Sequence, residues 1–338
     1  MKIFRFILTG ILIIVSVFGV TFCFTRLGRD ITVKEDKNYS CILNLYHIDT
    51  FAGGTGSRQQ FLLKVAYGFE KTRQGVLVNV VNLTPSGYID KITNGMVPDM
   101  VSYGVGIEVK NQVCFASKKD FPSGNINGKT YSVPWARGGY YIFDKNTNND
   151  GALPTFFDKI IVSNSDYTSP FTALYMSNVK ANDVKILKDK QAYTEFLLND
   201  NAVLVGTQRD LYRLHNSTTS FNVYPLKEYN DIFQYISITS TDKLKTELSI
   251  EFIDYLISDD IQAKLTNICM FSPYLFNLYS NDVYALAENS LPTYTPYANV
   301  GKGYQSFKDF SKEIFLNSSI DEFKIKNSLI SLDKFYIL

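Results

Sequence analysis

The segment from His47 to Gln60, HIDTFAGGTGSRQQ, joins a strand-like run to a helix-like run through four small residues, 53–56. Glycine accepts backbone angles that other residues avoid, and such a loop leaves the first N–H groups of the next helix facing outward. Those N–H groups can hold polar or anionic groups. Arg58 adds a planar fork of donors that suits a carboxylate, a phosphate or paired hydroxyls. The segment therefore predicts a ligand-binding loop. The alternative for Arg58 is a surface position, paired with Asp49 or with solvent.

Catalytic patterns around this loop are weak. The loop lacks the nucleotide-binding spacings G-x-x-x-x-G-K-[ST] and G-x-G-x-x-G, and the chain has no G-x-S-x-G nucleophile elbow. His47, Asp49 and Ser57 are the residue types of a catalytic triad, but alternation along a strand puts His47 and Asp49 on one face. The spacing S-x-x-K occurs twice, from Ser240 and from Ser331, without its partner motifs. Ser240 is better explained as a helix cap. We expect no enzymatic activity, no catalytic residue and no cofactor.

The only tryptophan, Trp135, lies in Pro134-Trp-Ala-Arg-Gly-Gly139, which is typical of an irregular segment between strands. A flat aromatic face suits the apolar face of a sugar ring, or a cation. The sequence predicts that Trp135, Arg137 and Gly139 line a cleft. A position for Trp135 in the core is the alternative.

A later segment repeats the design of the first loop. An apolar strand ends at Val205, and Gly206-Thr-Gln-Arg-Asp210 opens a helix. Thr207 and Gln208 are the polar residues at its start and are expected to contact ligand. For Arg209 the alternative to ligand contact is an ion pair with the neighbouring aspartate on a solvated face.

The composition excludes several classes of function. The chain has 338 residues, of which 34 are basic and 33 are acidic. Nucleic-acid binding would show a basic excess or a Lys/Arg stripe, and the sequence has neither. Two histidines and four cysteines without a C-x-x-C spacing give no metal or redox signature. The length and the 45% hydrophobic content predict two domains.

The N-terminus carries an apolar run, 6–24, of 19 residues without a charge, after Lys2 and Arg5. Its length just reaches the ~17–25 residues of a membrane span, and its position suits an export signal. We expect residues 1–25 to be a signal sequence or membrane anchor, and 26–40 to be a linker. Cys23 suggests a lipoprotein, but Phe22 stands where a small residue is required. A retained anchor is therefore favoured.

The elements around the first loop follow the order β-α-β-α-β. Strand-like runs at 41–48, 76–81 and 100–103 alternate with helix-like runs at 58–71 and 86–94. This order predicts a parallel sheet with right-handed crossovers. Ligands bind at the carboxyl ends of the strands in such sheets, where the first loop and Tyr103 are expected to lie. Further strands are predicted at 130–133, 140–143, 202–205 and 235–238, and further helices at 191–198, 244–256, 261–268 and 306–316.

In their order and spacing, these segments resemble the extracellular solute-binding proteins of ABC transporters, family 1, the type related to sugar binders. The resemblance covers about 43–274. It rests on HIDTFAGGTGSRQ, VPDMVS at 97–102, GKTYSVPW at 128–135, VGTQRD at 205–210 and MFSP at 270–273. It implies an α/β, two-lobed, periplasmic-binding-protein-like (type II) fold with hinge-linked lobes that close on ligand, preceded by an N-terminal hydrophobic helix. The first lobe would comprise 41–112 and 235–270, and the second 113–234 and 271–338.

The resemblance also implies a function. The chain would capture a small polar solute, a carbohydrate in the leading interpretation, and deliver it to ABC permease subunits in the membrane. We expect a monomer on the extracytoplasmic face of a bacterial cell membrane, anchored by its N-terminal segment. The alternatives are a phosphorylated or acidic solute, a membrane-tethered ligand sensor and, last, a glycan-processing enzyme. The expected ligand contacts are Asp49, Thr50, Gly54, Thr55, Gly56, Ser57, Arg58, Tyr103, Trp135, Arg137, Gly139, Thr207, Gln208 and Arg209.

Overall fold

The computed structural model describes residues 40–146, 152–317 and 327–328. The predicted signal sequence or anchor at 1–25, with Cys23, and the predicted linker up to residue 39 lie outside the described residues. Within the described ranges, no helix combines the length and the apolar character that a membrane crossing requires.

The strands, in chain order, are β1 (Cys41–Ile48), β2 (Val76–Leu83), β3 (Met100–Gly104), β4 (Asn125–Ile126), β5 (Lys129–Thr130), β6 (Ser132–Arg137), β7 (Tyr140–Asp144), β8 (Phe156–Ser163), β9 (Lys180–Leu187), β10 (Val203–Thr207), β11 (Asn222–Pro225) and β12 (Phe233–Ile238). The helices are α1 (Arg58–Thr72), α2 (Pro85–Thr93), α3 (Pro170–Met176), α4 (Asp189–Leu198), α5 (Gln208–His215), α6 (Lys243–Leu256), α7 (Asp259–Gln262), α8 (Asp282–Asn289) and α9 (Lys302–Leu316). A 3₁₀ turn, Ala263–Ile268, follows α7.

The first sheet has the strand order β2-β1-β3-β12-β6. β1 is parallel to β2 and to β3, whereas β12 is antiparallel to both of its neighbours. Leu43 and Leu45 of β1 pack with Phe61 of α1 and Phe252 of α6 in one apolar cluster. Tyr46 and Ile48, on the other face of β1, belong to a second buried cluster, so both faces of this strand are covered and its sequence is mainly apolar. The predicted order β-α-β-α-β is confirmed.

The edge strand β6 contains a β-bulge. Gln234 pairs with Ala136 and Tyr235 pairs with Pro134, so Trp135 is the extra residue between them. Proline has no N–H for the ladder, and it is tolerated in a sheet at edges and bulges. The predicted strand at 130–133 is divided in the structure: Thr130 ends β5, and β6 begins at Ser132 and continues through Pro134 to Arg137. The prediction that Trp135 lies in an irregular segment is wrong.

The second sheet has the order β11-β7-β10-β8-β9. β8, β9 and β10 run parallel, and β7 is antiparallel to β10 and to β11. Ile160 and Val162 of β8 share a buried cluster with Val203 and Val205 of β10. The start of α5 follows β10 directly, as the loop and α1 follow β1 in the first sheet.

Helix starts are fixed by short polar side chains. Ser57 caps α1, Thr84 caps α2 and Asp242 caps α6, each by accepting a hydrogen bond from a backbone N–H of the first turn. The sequence placed the cap of α6 at Ser240. Ser240 instead accepts a hydrogen bond from the Asp242 N–H at 3.4 Å and lies just before the cap.

The chain passes from the first sheet to the second between β6 and β7, and it returns between β11 and β12. The division into 41–112 with 235–270 and 113–234 with 271–338 stays a prediction. Because β6 pairs within the first sheet, we propose that 113–137 and 233–234 are better counted with the first lobe.

Candidate ligand-binding site

The loop between β1 and α1, residues 49–57, has a backbone shape that requires glycine at two positions. Gly56 has a φ of +63°, which other residues rarely adopt. A Cβ atom on Gly54 would overlap the carbonyl oxygen of Cys269. The Thr55 N–H donates to the Ile268 carbonyl at 2.9 Å. The loop is thereby held against the segment that follows the 3₁₀ turn.

Arg58 is buried at the start of α1, and its charge is neutralised within the loop. Nη2 and Nε donate to Asp49 Oδ1 at 2.7 and 3.2 Å, and Nη2 also donates to the Phe51 carbonyl. The guanidinium carbon lies 3.9 Å from the centre of the Phe51 ring. Nη1 has no hydrogen-bond partner. Arg58 does pair with Asp49, but below the surface, and both N–H groups of Nη1 remain unused.

A chain of hydrogen bonds crosses the first sheet from Trp135 to Asp49. Trp135 Nε1 and Gln234 Nε2 both donate to Ser102 Oγ, at 2.9 and 3.1 Å. These two bonds occupy the lone pairs of the hydroxyl, so its proton must point to His47 Nδ1 at 3.1 Å. His47 therefore carries its own proton on Nε2 and donates it to Asp49 Oδ1 at 3.2 Å. The direction of each bond fixes His47 as a neutral imidazole.

The charges of the site agree with this bonding. Burial lowers the pKa of His47, even though the hydrogen bond to Asp49 acts in the opposite direction. Burial alone would raise the pKa of the Asp49 carboxyl, but the hydrogen bond from His47 and the charge of Arg58 outweigh it and hold this pKa well below its usual range. At neutral pH the loop contains an ionised Asp49 with Arg58 as its counter-ion.

Ser102, His47 and Asp49 lie in series, but they do not form a nucleophile. Ser102 is fully buried, and both lone pairs of its oxygen accept the donors described above. A nucleophile needs an accessible oxygen beside its base. Ser57, the sequence candidate for this role, instead caps α1 through its side chain. Ser102, His47 and Asp49 therefore position the loop between β1 and α1 rather than act as a catalytic triad.

The start of α5 forms the opposing surface. Thr207 and Asp210 make a capping box, in which Asp210 Oδ2 accepts from the Thr207 N–H at 3.1 Å. Burial raises the pKa of Asp210 to about 6, assisted by the charge of Asp189 and opposed by the Thr207 N–H and by Arg213. Asp210 pairs with Arg213 at 3.0 Å. Asp210, a residue of α5 itself, thus bonds the backbone N–H at the start of this helix. The Arg209 side chain takes no part in this capping box.

Three carbonyl groups of the loop accept hydrogen bonds from side chains that follow strands of the second sheet. The pairs are Gln208 Nε2 to Ala52 at 2.8 Å, Ser165 Oγ to Thr50 at 3.3 Å and Arg209 Nη1 to Gly53 at 3.5 Å. We call this set the loop contact. It joins the carboxyl edges of the two sheets directly.

Gln208 is the most enclosed member of the loop contact. Its Oε1 accepts from the Gly139 N–H at 3.2 Å, and its Nε2 lies 3.6 Å from Met270 Sδ. A Cβ on Gly138 would overlap this Oε1. The Gly-Gly pair after β6 therefore allows Gln208 to reach the first loop.

Three predicted contacts have their side chains engaged within the protein. Trp135 stacks on a phenylalanine of α1 with ring centroids 5.7 Å apart. The Tyr103 hydroxyl is bonded to Ser237 at 3.0 Å, and Arg137 Nε donates to the Ser272 carbonyl at 3.0 Å. All three side chains are buried. Because their polar groups are engaged within the protein, we do not retain them as proposed contacts.

Two residues at the junction were not predicted from the sequence. Gln234 is a polar residue on an otherwise apolar face of β12, and this isolated polarity was the available signal. Ser165 lies in a loop without a distinctive pattern, and only the fold brings it to Thr50. Among the described residues, no group of three or more His, Cys, Asp or Glu side chains could hold a metal ion.

Solved structures share this two-sheet arrangement. The sugar-binding protein MalE of the phytopathogen Xanthomonas citri matches with a TM-score of 0.58 and 12% identity, over 87% of this chain and 97% of that protein. The fold is that of a two-lobed solute-binding protein. The GacH receptor of Streptomyces glaucescens, known unliganded and with acarbose, gives 0.54 and 13% over 88% and 98% of the two chains. RafE in complex with raffinose gives 0.52 and 12% over 87% and 98%.

The similarity lies in structure rather than in sequence. No protein-family model and no curated protein matches the chain. The predicted α/β, two-lobed fold class is confirmed by the solved structures, with identities of 12% to 13%.

Proposed function

We propose that the chain is the extracytoplasmic substrate-binding component of an ABC importer, and that it captures a carbohydrate between its two sheets. The observation that carries the proposal is the loop contact, in which polar segments after β1 and β10 face each other. Both segments lie at the carboxyl ends of strands, where open α/β sheets bind ligands. Two structurally similar proteins, GacH in complex with acarbose and RafE in complex with raffinose, support a carbohydrate.

The charges at the junction favour a neutral solute over a phosphorylated or acidic one. An anionic ligand would need free N–H groups at a helix start and an unpaired cation. Arg58 is paired with Asp49 at 2.7 Å, and Asp210 and Ser57 cap the two helix starts. Arg58 and the two helix starts, which suggested an anionic ligand, are therefore already bonded within the protein.

The proposed contacts are side chains that offer hydroxyl partners from both sides. Asp49 has a side chain that is 43% exposed and can accept from ligand hydroxyls. Thr50, Arg58, Gln208 and Arg209 would supply the remaining polar atoms. The other retained residues shape the backbone around them: Gly54, Thr55, Gly56, Ser57, Gly139 and Thr207.

Delivery to a membrane permease is the further part of the proposal. The apolar run at 6–24 would hold the chain at the outer face of the membrane, as an anchor or as a lipoprotein through Cys23. A tethered sensor would share the same cleft. A glycan-processing enzyme is the weakest alternative, because Ser102 is buried and its oxygen is fully bonded.

A thermal-shift screen tests the proposal. The panel contains maltose, maltotriose, raffinose, glucose 6-phosphate, inorganic phosphate and amino acids. A ligand at about 100 times its dissociation constant stabilises the folded chain by about 2.7 kcal/mol. We expect a clear rise in melting temperature with a neutral sugar. A rise with the phosphates alone would support the anionic alternative, and no rise with any compound would overturn the proposal.

A further inference from the structure

Gln234 has a buried acceptor atom that no residue satisfies. Its Nε2 donates to the Ile48 carbonyl at 3.3 Å and to Ser102 Oγ at 3.1 Å, which uses both amide protons. A carbonyl can only accept, so the nitrogen must face Ile48, and the orientation of the amide is fixed. Oε1 is then the atom without a hydrogen-bond partner. The residue is 0% exposed.

Two more polar atoms without partners lie at the same end of the first sheet. They are Thr50 Oγ1 and Arg58 Nη1. A Cβ on Gly104 would overlap Thr50 Oγ1, so this hydroxyl rests on the Gly104 backbone. Gly104 is paired with Gln234 in the ladder between β3 and β12. Thr50 and Gln234 therefore occupy one patch of the sheet, beside the loop that holds Arg58.

The three atoms differ in hydrogen-bonding type. Gln234 Oε1 only accepts, Arg58 Nη1 only donates, and the Thr50 hydroxyl does either. Buried polar atoms are nearly always paired, and leaving one unpaired costs about 1–3 kcal/mol. A ligand that satisfies all three must both donate and accept. Hydroxyl groups do both, whereas a fully ionised phosphate or carboxylate cannot donate to Gln234.

We propose that Gln234 determines specificity in the cleft, by accepting a hydrogen bond from a ligand hydroxyl that Thr50 and Arg58 help to orient. The inference rests on the proposed function. It adds to it the residue that makes the cleft bind hydroxylated solutes in preference to anions. Solute reaches the patch when the loop contact opens. A solute that pairs these three atoms would stabilise the closed arrangement of the loop contact.

Binding measurements on Gln234→Met test the inference. The sugar that gives the largest shift among maltose, maltotriose and raffinose is titrated by calorimetry. Methionine keeps the length of the side chain but removes the acceptor together with the two N–H donors, as the control does at Gln112, and we expect affinity to fall 10- to 100-fold. Gln112→Met is the matched control. Gln112 is buried on the opposite face of the sheet, where its Nε2 is bonded to Tyr103 and Ser237 at 2.7 and 2.9 Å, and the control should bind as the unaltered chain does.

Monodeoxy analogues of the same sugar keep the test decisive if Gln234→Met fails to fold. A site built to bond a hydroxyl discriminates strongly against an analogue that lacks it. We expect at least one analogue to bind the unaltered chain tenfold or more weakly, and Gln234→Met to lose that discrimination. Equal binding of all analogues, or unchanged affinity in Gln234→Met, would overturn the role of Gln234 and leave solute capture intact. Failure of the unaltered chain to bind any neutral sugar would overturn both.

Discussion

Asp210 combines two roles at the scale of a single residue. Its carboxylate closes the start of α5, and its burial raises the pKa from 3.8 to about 6. Between these values the folded chain binds more protons than the unfolded chain. The free energy of unfolding therefore falls as pH rises from about 4 to about 6, and the contribution is constant above that range. A difference of about two pKa units corresponds to about 3 kcal/mol.

The variant Asp210→Asn should abolish this part of the pH dependence. Asparagine can still accept the Thr207 N–H as a cap, but it does not titrate. We expect urea denaturation at pH 4 and pH 7 to show a smaller difference in the variant than in the unaltered chain, by about 3 kcal/mol. Asp49 acts in the opposite direction and only below its usual pKa, because its pKa is lowered. Asp200→Asn is the control, since the side chain of Asp200 is 92% exposed. An unchanged difference in Asp210→Asn would contradict this account.

At the scale of elements, the packing of the first loop against Cys269 requires glycine at position 54 but not at position 53. Gly54 faces the Cys269 carbonyl without room for a Cβ, whereas a Cβ on Gly53 would have its nearest neighbours 4.0 Å away. Gly54→Ala should lower the free energy of unfolding by about 1–3 kcal/mol, as overpacking does. Gly53→Ala is the matched control and should stay within about 0.5 kcal/mol. Equal effects in chemical denaturation would show that the approach at Gly54 is not limiting.

The elements also show what the sequence could and could not predict. The alternating strands and helices of the first sheet were predictable because β1 and β2 are nearly continuous apolar runs beside strongly periodic helices. β8 and β9 escaped prediction because charged residues interrupt their apolar patterns: Asp158 and Asp183 at exposed positions and Lys159 at a half-buried one. Trp135 was misplaced because Pro134 suggests a loop, and only the edge position of β6 makes proline acceptable in that strand.

The candidate site was predictable in part for the same reason. Local spacing identified both loops, since glycines and caps act over a few residues. Gln234 and Ser165 come close to the first loop through contacts that span 186 and 115 residues. No local pattern encodes such a pairing. The burial of Tyr103 and Arg137 likewise depends on which face of each strand is covered.

At the scale of the whole molecule, the loop contact joins the two sheets by three hydrogen bonds. The shortest of these three hydrogen bonds is the one from Gln208 to the Ala52 carbonyl, at 2.8 Å. Gln208→Ala removes that bond, and a net loss of about 1 kcal/mol shifts an open-to-closed equilibrium about fivefold. We expect small-angle X-ray scattering to show a larger radius of gyration for the ligand-free variant. Gln191→Ala, at an exposed position on α4, should scatter as the unaltered chain does. An unchanged radius of gyration in Gln208→Ala would show that the hydrogen bond from Gln208 to Ala52 does not stabilise the closed arrangement.

The bonding of Trp135 gives the protein an intrinsic optical reporter. The chain has one tryptophan, so its tryptophan fluorescence, excited selectively over that of the tyrosines, comes from a single, fully buried indole. That indole donates to Ser102, and Ser102 in turn bonds to His47 and Gln234 at the proposed patch. A solute hydroxyl that donates to Gln234, as proposed, would change the electric field at the indole through one intervening hydroxyl. We therefore expect tryptophan emission from the native chain to follow occupancy of the proposed cleft in real time, without any label.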